Sequence, residues 1–162
     1  MRYSLTCLAL LYSASAASME PAPDVQHDLA KIGNEIAAAH CGVKAKRTKQ
    51  QVKNLFEESV ADYRETIQCK GLVLVVYHAN IYKPPHQILE SLTLRGAHAM
   101  LPALVSPGST REAVLTYAGK PMQASPISIV YLLANEGPDQ HTAMFTFANG
   151  KLTSIAWRWS SQ

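Results

Sequence analysis

No apolar run in this sequence approaches the ~20 residues that a membrane-spanning helix needs; polar or small residues break each one well before that length. Charge is sparse as well. Asp, Glu, Lys and Arg make up 17% of the chain and the net charge is +3 at pH 7, too small a surplus to argue for a nucleic-acid partner. The usual signatures of catalysis are missing: no G-x-S-x-G for a serine nucleophile, no H-E-x-x-H, no P-loop and no G-x-G-x-x-G. His27, His40, His78, His86, His98 and His141 are scattered without ligand spacing, so no metal and no cofactor is expected. An enzyme built around His78, at the end of an apolar run, is the least favoured reading. In that case His78 should stand in a cleft beside a carboxylate.

What is present begins with a leader. Arg2 precedes a brief apolar stretch over 5–11, and Ser13, Ala14, Ser15, Ala16 and Ala17 follow. A short positive region, an apolar core and an A-x-A site ending at Ala16 predict a signal peptide over 1–16 and a single domain over 17–162. Cys7 sits too early in the apolar stretch to make a lipobox. Export implies a periplasmic or secreted protein. The mature chain keeps fourteen basic against twelve acidic residues, net +2, and two cysteines, Cys41 and Cys69. In an oxidising compartment they have one possible pairing. The loop closed would hold roughly thirty residues and contribute about 3 kcal/mol.

Periodicity predicts an α+β fold. Val25, Leu29, Ile32 and Ile36 fall at helical spacing, with Gly42 as the stop. A second helix is predicted from Thr48, with Gln51 completing a capping box and Val52, Leu55, Phe56, Val60 and Tyr63 on its apolar face. Glu57, Glu58 and Asp62 then fall on its solvated side. Residues 72–77 form a continuous apolar run, expected as a strand buried on both faces. Ile88, Leu92 and Leu94 mark a second strand, and Ile127, Ile129, Tyr131 and Leu133 a third. Ser109 and Glu112 cap a short central helix that Gly119 and Pro121 end. Asn149-Gly150, between 142–147 and 151–159, predicts a type I′ hairpin. The expectation is two N-terminal helices and a short central one on a mostly antiparallel sheet of four or five strands, ending in a C-terminal hairpin. Thr48-x-x-x-Val52-x-x-Leu55 and Thr110-x-x-x-Val114-x-x-Tyr117 also hint at two helix-plus-strand repeats.

Two surfaces are candidate sites. Lys44, Lys46, Arg47, Lys49 and Lys53 form a basic stretch, expected as a loop and helix start, that could meet an acidic or phosphate-bearing envelope surface. In a regular hairpin, Phe145, Phe147 and Leu152 share one face and Met144, Ile155, Trp157 and Trp159 the other. The sequence leaves open which face is buried. If helices sit on the Phe face, the Trp face is an exposed patch suited to a protein partner.

The stretch Pro107-Gly108-Ser109-Thr110-Arg111-Glu112-Ala113-Val114, with Ala118-Gly119-Lys120-Pro121, Tyr131, Phe145, Phe147 and Asn149-Gly150-Lys151-Leu152, resembles the SmpA/OmlA (BamE) envelope-assembly lipoproteins and the β-lactamase-inhibitor-like domains. The resemblance covers 107–159. It implies a helix-backed antiparallel sheet whose open face binds another protein. The expected function is therefore a non-enzymatic, exported protein-binding module of assembly, inhibitor or immunity type. The alternative is a carrier of a small ligand or lipid.

Overall fold

A computed structural model of the chain describes residues 23–39, 44–54, 57, 59–136 and 139–160. The expected leader, Cys41, Leu55, Phe56 and Glu58 lie outside the described residues. Helix α1 spans Pro23–Ala38, with proline at the first helical position, where its missing N–H costs nothing. Its stripe is the one the spacing predicts: Leu29 and Ile36 are fully buried, and Val25 and Ile32 pack at the core margin. Helix α2 spans Arg111–Ala118 and is capped by Thr110, one residue after the predicted Ser109; the Thr110 hydroxyl accepts from the Ala113 N–H at 3.2 Å. Gly119, at φ 71°, closes it. No described helix is long and apolar enough to cross a membrane.

Apart from a 3-10 turn at Ala103–Val105 and the connecting loops, the other described residues form one antiparallel sheet of eight strands: β1 (Lys46–Lys53), β2 (Ala61–Cys69), β3 (Leu72–Ala79), β4 (His86–Leu94), β5 (Gln123–Ala124), β6 (Ser128–Glu136), β7 (Asp139–Ala148) and β8 (Lys151–Arg158), in the order β1-β2-β3-β4-β8-β7-β6-β5. This corrects the expected four or five strands and three helices. The predicted second helix is the main error. Thr48 lies in the middle of β1 opposite Thr66, and residues 46–53 pair without a break against 61–68. Lys and Gln favour helix only weakly, and an eight-residue ladder onto a buried strand outweighs that preference. β2 then turns into β3 through Lys70-Gly71, whose φ values of 34° and 80° make a second tight two-residue hairpin. β3 is buried alternately rather than on both faces: Leu72, Leu74, Val76 and His78 point inward, while Val73, Val75 and Tyr77 are half-buried on the other side.

The topology has an internal symmetry. Each half is a helix followed by a four-strand meander, and the halves join where their last strands, β4 and β8, pair. The predicted repeat placed its echo wrongly, because Thr48 lies in a strand and Thr110 caps a helix. The repeat unit starts at α1, not at Thr48. Both edges of the sheet are blunted. β1 carries Lys46, Arg47, Lys49 and Lys53, and β5 is only two residues long; edge lysines and short edges both deter strand-to-strand aggregation.

Both helices pack on one face of the sheet, over a core that includes Leu74, Leu92, Tyr131, Phe145, Ile155 and Trp157. Trp157 is the keystone. Its indole Nε1–H donates to the Leu29 carbonyl at 2.9 Å. Its ring also lies against Gly33, where an added Cβ would fall 2.5 Å from Cδ1. A glycine inside a helix costs about 1 kcal/mol relative to alanine. Here it admits the indole. Gly33→Ala is therefore expected to destabilise the protein by about 1–3 kcal/mol through overpacking, although helix propensity alone predicts a gain. Urea denaturation decides the sign, and a stabilised variant would refute the close approach.

Candidate functional site

Because Trp157 holds α1 toward β8, the helix lies nearest β6, β7 and α2. A cleft of 540 Å³ opens between the last turns of α1 and the inner face of β1–β4, within the size range of small-molecule sites. One wall is the last turns of α1, where Ala37 and Ala38 are too small to fill the space and Asn34 adds an amide. The floor is Ile67, Leu74, Val76 and Leu89. The rim is polar: Arg47 from β1, Glu65 from β2 and Gln87 from β4.

Glu65 organises that rim. Its side chain is 10% exposed; Oε1 accepts from Arg47 Nη1 at 3.2 Å and Oε2 lies 3.2 Å from His78 Nε2. Burial raises the Glu65 pKa. The hydrogen bond and charge of Arg47, the charge of Lys49 and the His78 contact outweigh it and hold the carboxyl below its ordinary range. Tyr63, opposite His78 in the β2–β3 ladder, stacks on the imidazole at 4.3 Å between centroids and 18° between planes. Lys49 Nζ covers the Tyr63 ring at 4.5 Å. Lys49, Tyr63, His78, Glu65 and Arg47 thus form one continuous chain of contacts.

A second buried acid has a different role. Asp62 is 0% exposed. Its carboxylate accepts from the Asn54 side chain and the Asn80 N–H, both at 2.8 Å, and from the Tyr77 hydroxyl. Asn54 in turn accepts from the Glu57 N–H at 2.8 Å. Burial raises the Asp62 pKa, and the three hydrogen bonds overcome it, leaving the pKa lowered. Burial and the same bond push Tyr77 up to about 12. All donors converge from the β1–β2 connection and the end of β3, so Asp62 fastens that end of the sheet and takes no part in the cleft.

The basic stretch is divided by the pleat. Lys46 lies on the outer face of β1 with Thr48 and Gln50, whereas Arg47, Lys49, Gln51 and Lys53 share the inner face with Glu65 and Ile67. It is an edge strand, not the expected loop and helix start. The expected Trp patch is not assembled. Ile155 and Trp157 are both 0% exposed. Met144 is half-buried on the outer face, and Trp159 packs against the core margin. The cause is a β-bulge. Phe147 pairs with Leu152 and Thr146 with Ser154, so Thr153 is an extra residue in β8. From there on parity is reversed, and Ile155 and Trp157 join Phe145, Phe147 and Leu152 on the same buried face. The predicted solvated acids fare unevenly: Glu57 is exposed, but Asp62 is fully buried.

None of Glu65, Gln87 and Asn34 was among the candidate site residues, and Tyr63 was expected on the apolar face of a second helix. The alternation Tyr63, Glu65, Ile67 before Lys70-Gly71 was the available signal for a strand entering a hairpin. A carboxylate in an inward position hid it. His78 does stand beside a carboxylate, as the enzyme reading required. Yet it is 5% exposed, and its Nε2 faces a Glu65 whose other oxygen belongs to Arg47. Among the described residues no group of three His, Cys, Asp or Glu side chains could hold a metal ion. Comparison with protein-family models, curated proteins and solved structures finds no match to this chain.

The lowered Asp62 pKa has a definite sign. A group with a depressed folded-state pKa adds stability above its unfolded pKa and loses it as the pH falls through the folded one. Asp62→Asn replaces the acceptor of three donors and should cost about 2–3 kcal/mol at about pH 7. The gap to the unmodified protein should narrow as the pH falls below the ordinary aspartate range, followed by chemical denaturation at successively lower pH. A gap independent of pH would contradict the assignment.

Proposed function

We propose that this protein binds a small amphipathic molecule in the cleft between α1 and β1–β4, as an exported carrier or sensor and not as a catalyst. The observation that carries the reading is the cleft itself: a 540 Å³ space with an apolar floor and polar groups on its rim. Such sites combine apolar burial with a few fixed polar contacts. Rigid surroundings support it. Leu74 and Ile67 are set by the β2–β3–β4 ladders, and α1 is pinned by Trp157. A disulfide between Cys41 and Cys69 belongs to the same reading. Cys69 ends β2, so the bridge would tie the segment after α1 to this half of the sheet, close to the cleft. Oxidised protein digested without reductant should yield the two cysteine peptides as one species, and separate peptides would remove the bridge.

The cleft is tested with Nile red, a neutral apolar dye. Its fluorescence should rise on mixing with the protein. Leu89→Trp, which fills the floor from a half-buried position, should abolish that rise while leaving the thermal midpoint within a few degrees. Undiminished dye binding by a folded Leu89→Trp variant would move the site elsewhere.

A second reading keeps the protein partner suggested by the resemblance of 107–159 to assembly and inhibitor domains, on a different surface from the Trp patch. The outer sheet face has no described helix over it. A row of paired residues crosses it, Gln68, Val73, Thr93, Ala156, Met144 and Val130, and its apolar members are half-buried and small enough to lie flat. Met144→Arg, at the centre of the second half, should block a partner there and leave Nile red binding unchanged.

A further inference from the structure

We propose that the ligand of this cleft is a single-chain amphiphile with an anionic head, seated with the head on Arg47 and the chain over Ile67, Leu74, Val76 and Leu89. The inference rests on the binding-protein reading above and specifies its ligand class.

The single acid on the rim is Glu65, and both of its oxygens are engaged, one by Arg47 and one by His78. A cationic head there would share those oxygens with Arg47 and His78 and would be repelled by the charges of Arg47 and Lys49. Arg47 is in the opposite position. A guanidinium carries five N–H donors and accepts nothing, and Glu65 takes up one nitrogen, Nη1. Its side chain is 41% exposed and lines the cleft, so donors remain directed at whatever enters. Lys49, held over Tyr63 near Glu65, adds a second positive charge against the one carboxylate. The Asn34 and Gln87 amides, on opposite walls, can each donate a further N–H. The surplus positive charge therefore stands on β1, along one edge of the apolar floor, while the Gln87 amide lies on β4 at the opposite edge. A planar anionic head such as a carboxylate suits a guanidinium best, because paired N–H groups meet paired oxygens.

Three probes with the same ten-carbon chain decide the matter: decanoate, decanol and decylammonium, each titrated calorimetrically into the protein below its micellar concentration. Decanoate is expected to bind one to one and about tenfold more tightly than decanol, the difference one charge-assisted hydrogen bond supplies. Arg47→Gln should remove that preference and leave decanol affinity unchanged, which also shows the variant to be folded. Equal affinity for decanoate and decanol, or tighter binding of decylammonium, would overturn the anionic head while leaving the cleft as a site. No binding by any of the three would overturn both the head assignment and the cleft reading. Decyl phosphate, run alongside, separates a carboxylate head from a phosphate head within the same anionic class.

Discussion

The structure depends on the contact between Trp157 and α1. A residue five from the end of the chain donates its indole proton to Leu29 and rests on Gly33. One contact thereby joins the first helix to the last strand. It contributes apolar burial and a satisfied donor in one place, where an unpartnered indole N–H would be costly. It also sets where α1 can lie. A helix drawn toward β8 and lying by β6 and β7 leaves the cleft between its last turns and the inner face of β1–β4.

Two helix-plus-meander halves share a single sheet by pairing β4 with β8 over only four residue pairs. The seam is short, but the core does not stop at it. Leu92 and Leu94 on one side and Ile155 and Trp157 on the other are all within 2% of full burial. Joining the halves through their last strands leaves the free edges at β1 and β5, both unattractive to another strand. The lysines of β1 therefore have a structural reason to be there, and Arg47 has a second use because the pleat turns it inward.

The two buried acids differ in their surroundings. Asp62 is fully buried and enclosed by neutral donors, Asn54, Asn80 and the Tyr77 hydroxyl of β3. Glu65 is held by a guanidinium and an imidazole at the margin of an open space. Glu65 occupies one nitrogen of Arg47, and a guanidinium has donors beyond that one.

Local signals were legible wherever the chain determines its own geometry. The apolar stripe of α1, the Thr110 cap, Gly119 and the Asn149-Gly150 turn act within a few residues, and each was read within about one position. What the tertiary structure alone decided was which side chains face inward. β1 and β2 read as a helix because Thr48 and Gln51 mimic a capping box and Val52, Val60 and Tyr63 fall on one helical face, while the inward positions of the two strands carry Arg47, Lys49 and Glu65 in place of an apolar alternation. Glu65 can occupy an inward position because Arg47 and His78, from two other strands, meet it there, and no single strand contains that information. The Trp face failed on one residue. A strand alternates with period two, so the extra Thr153 was enough to turn Ile155 and Trp157 from an imagined surface into the core, and the bulge is set by the pairing of β7 with β8, not by β8 itself.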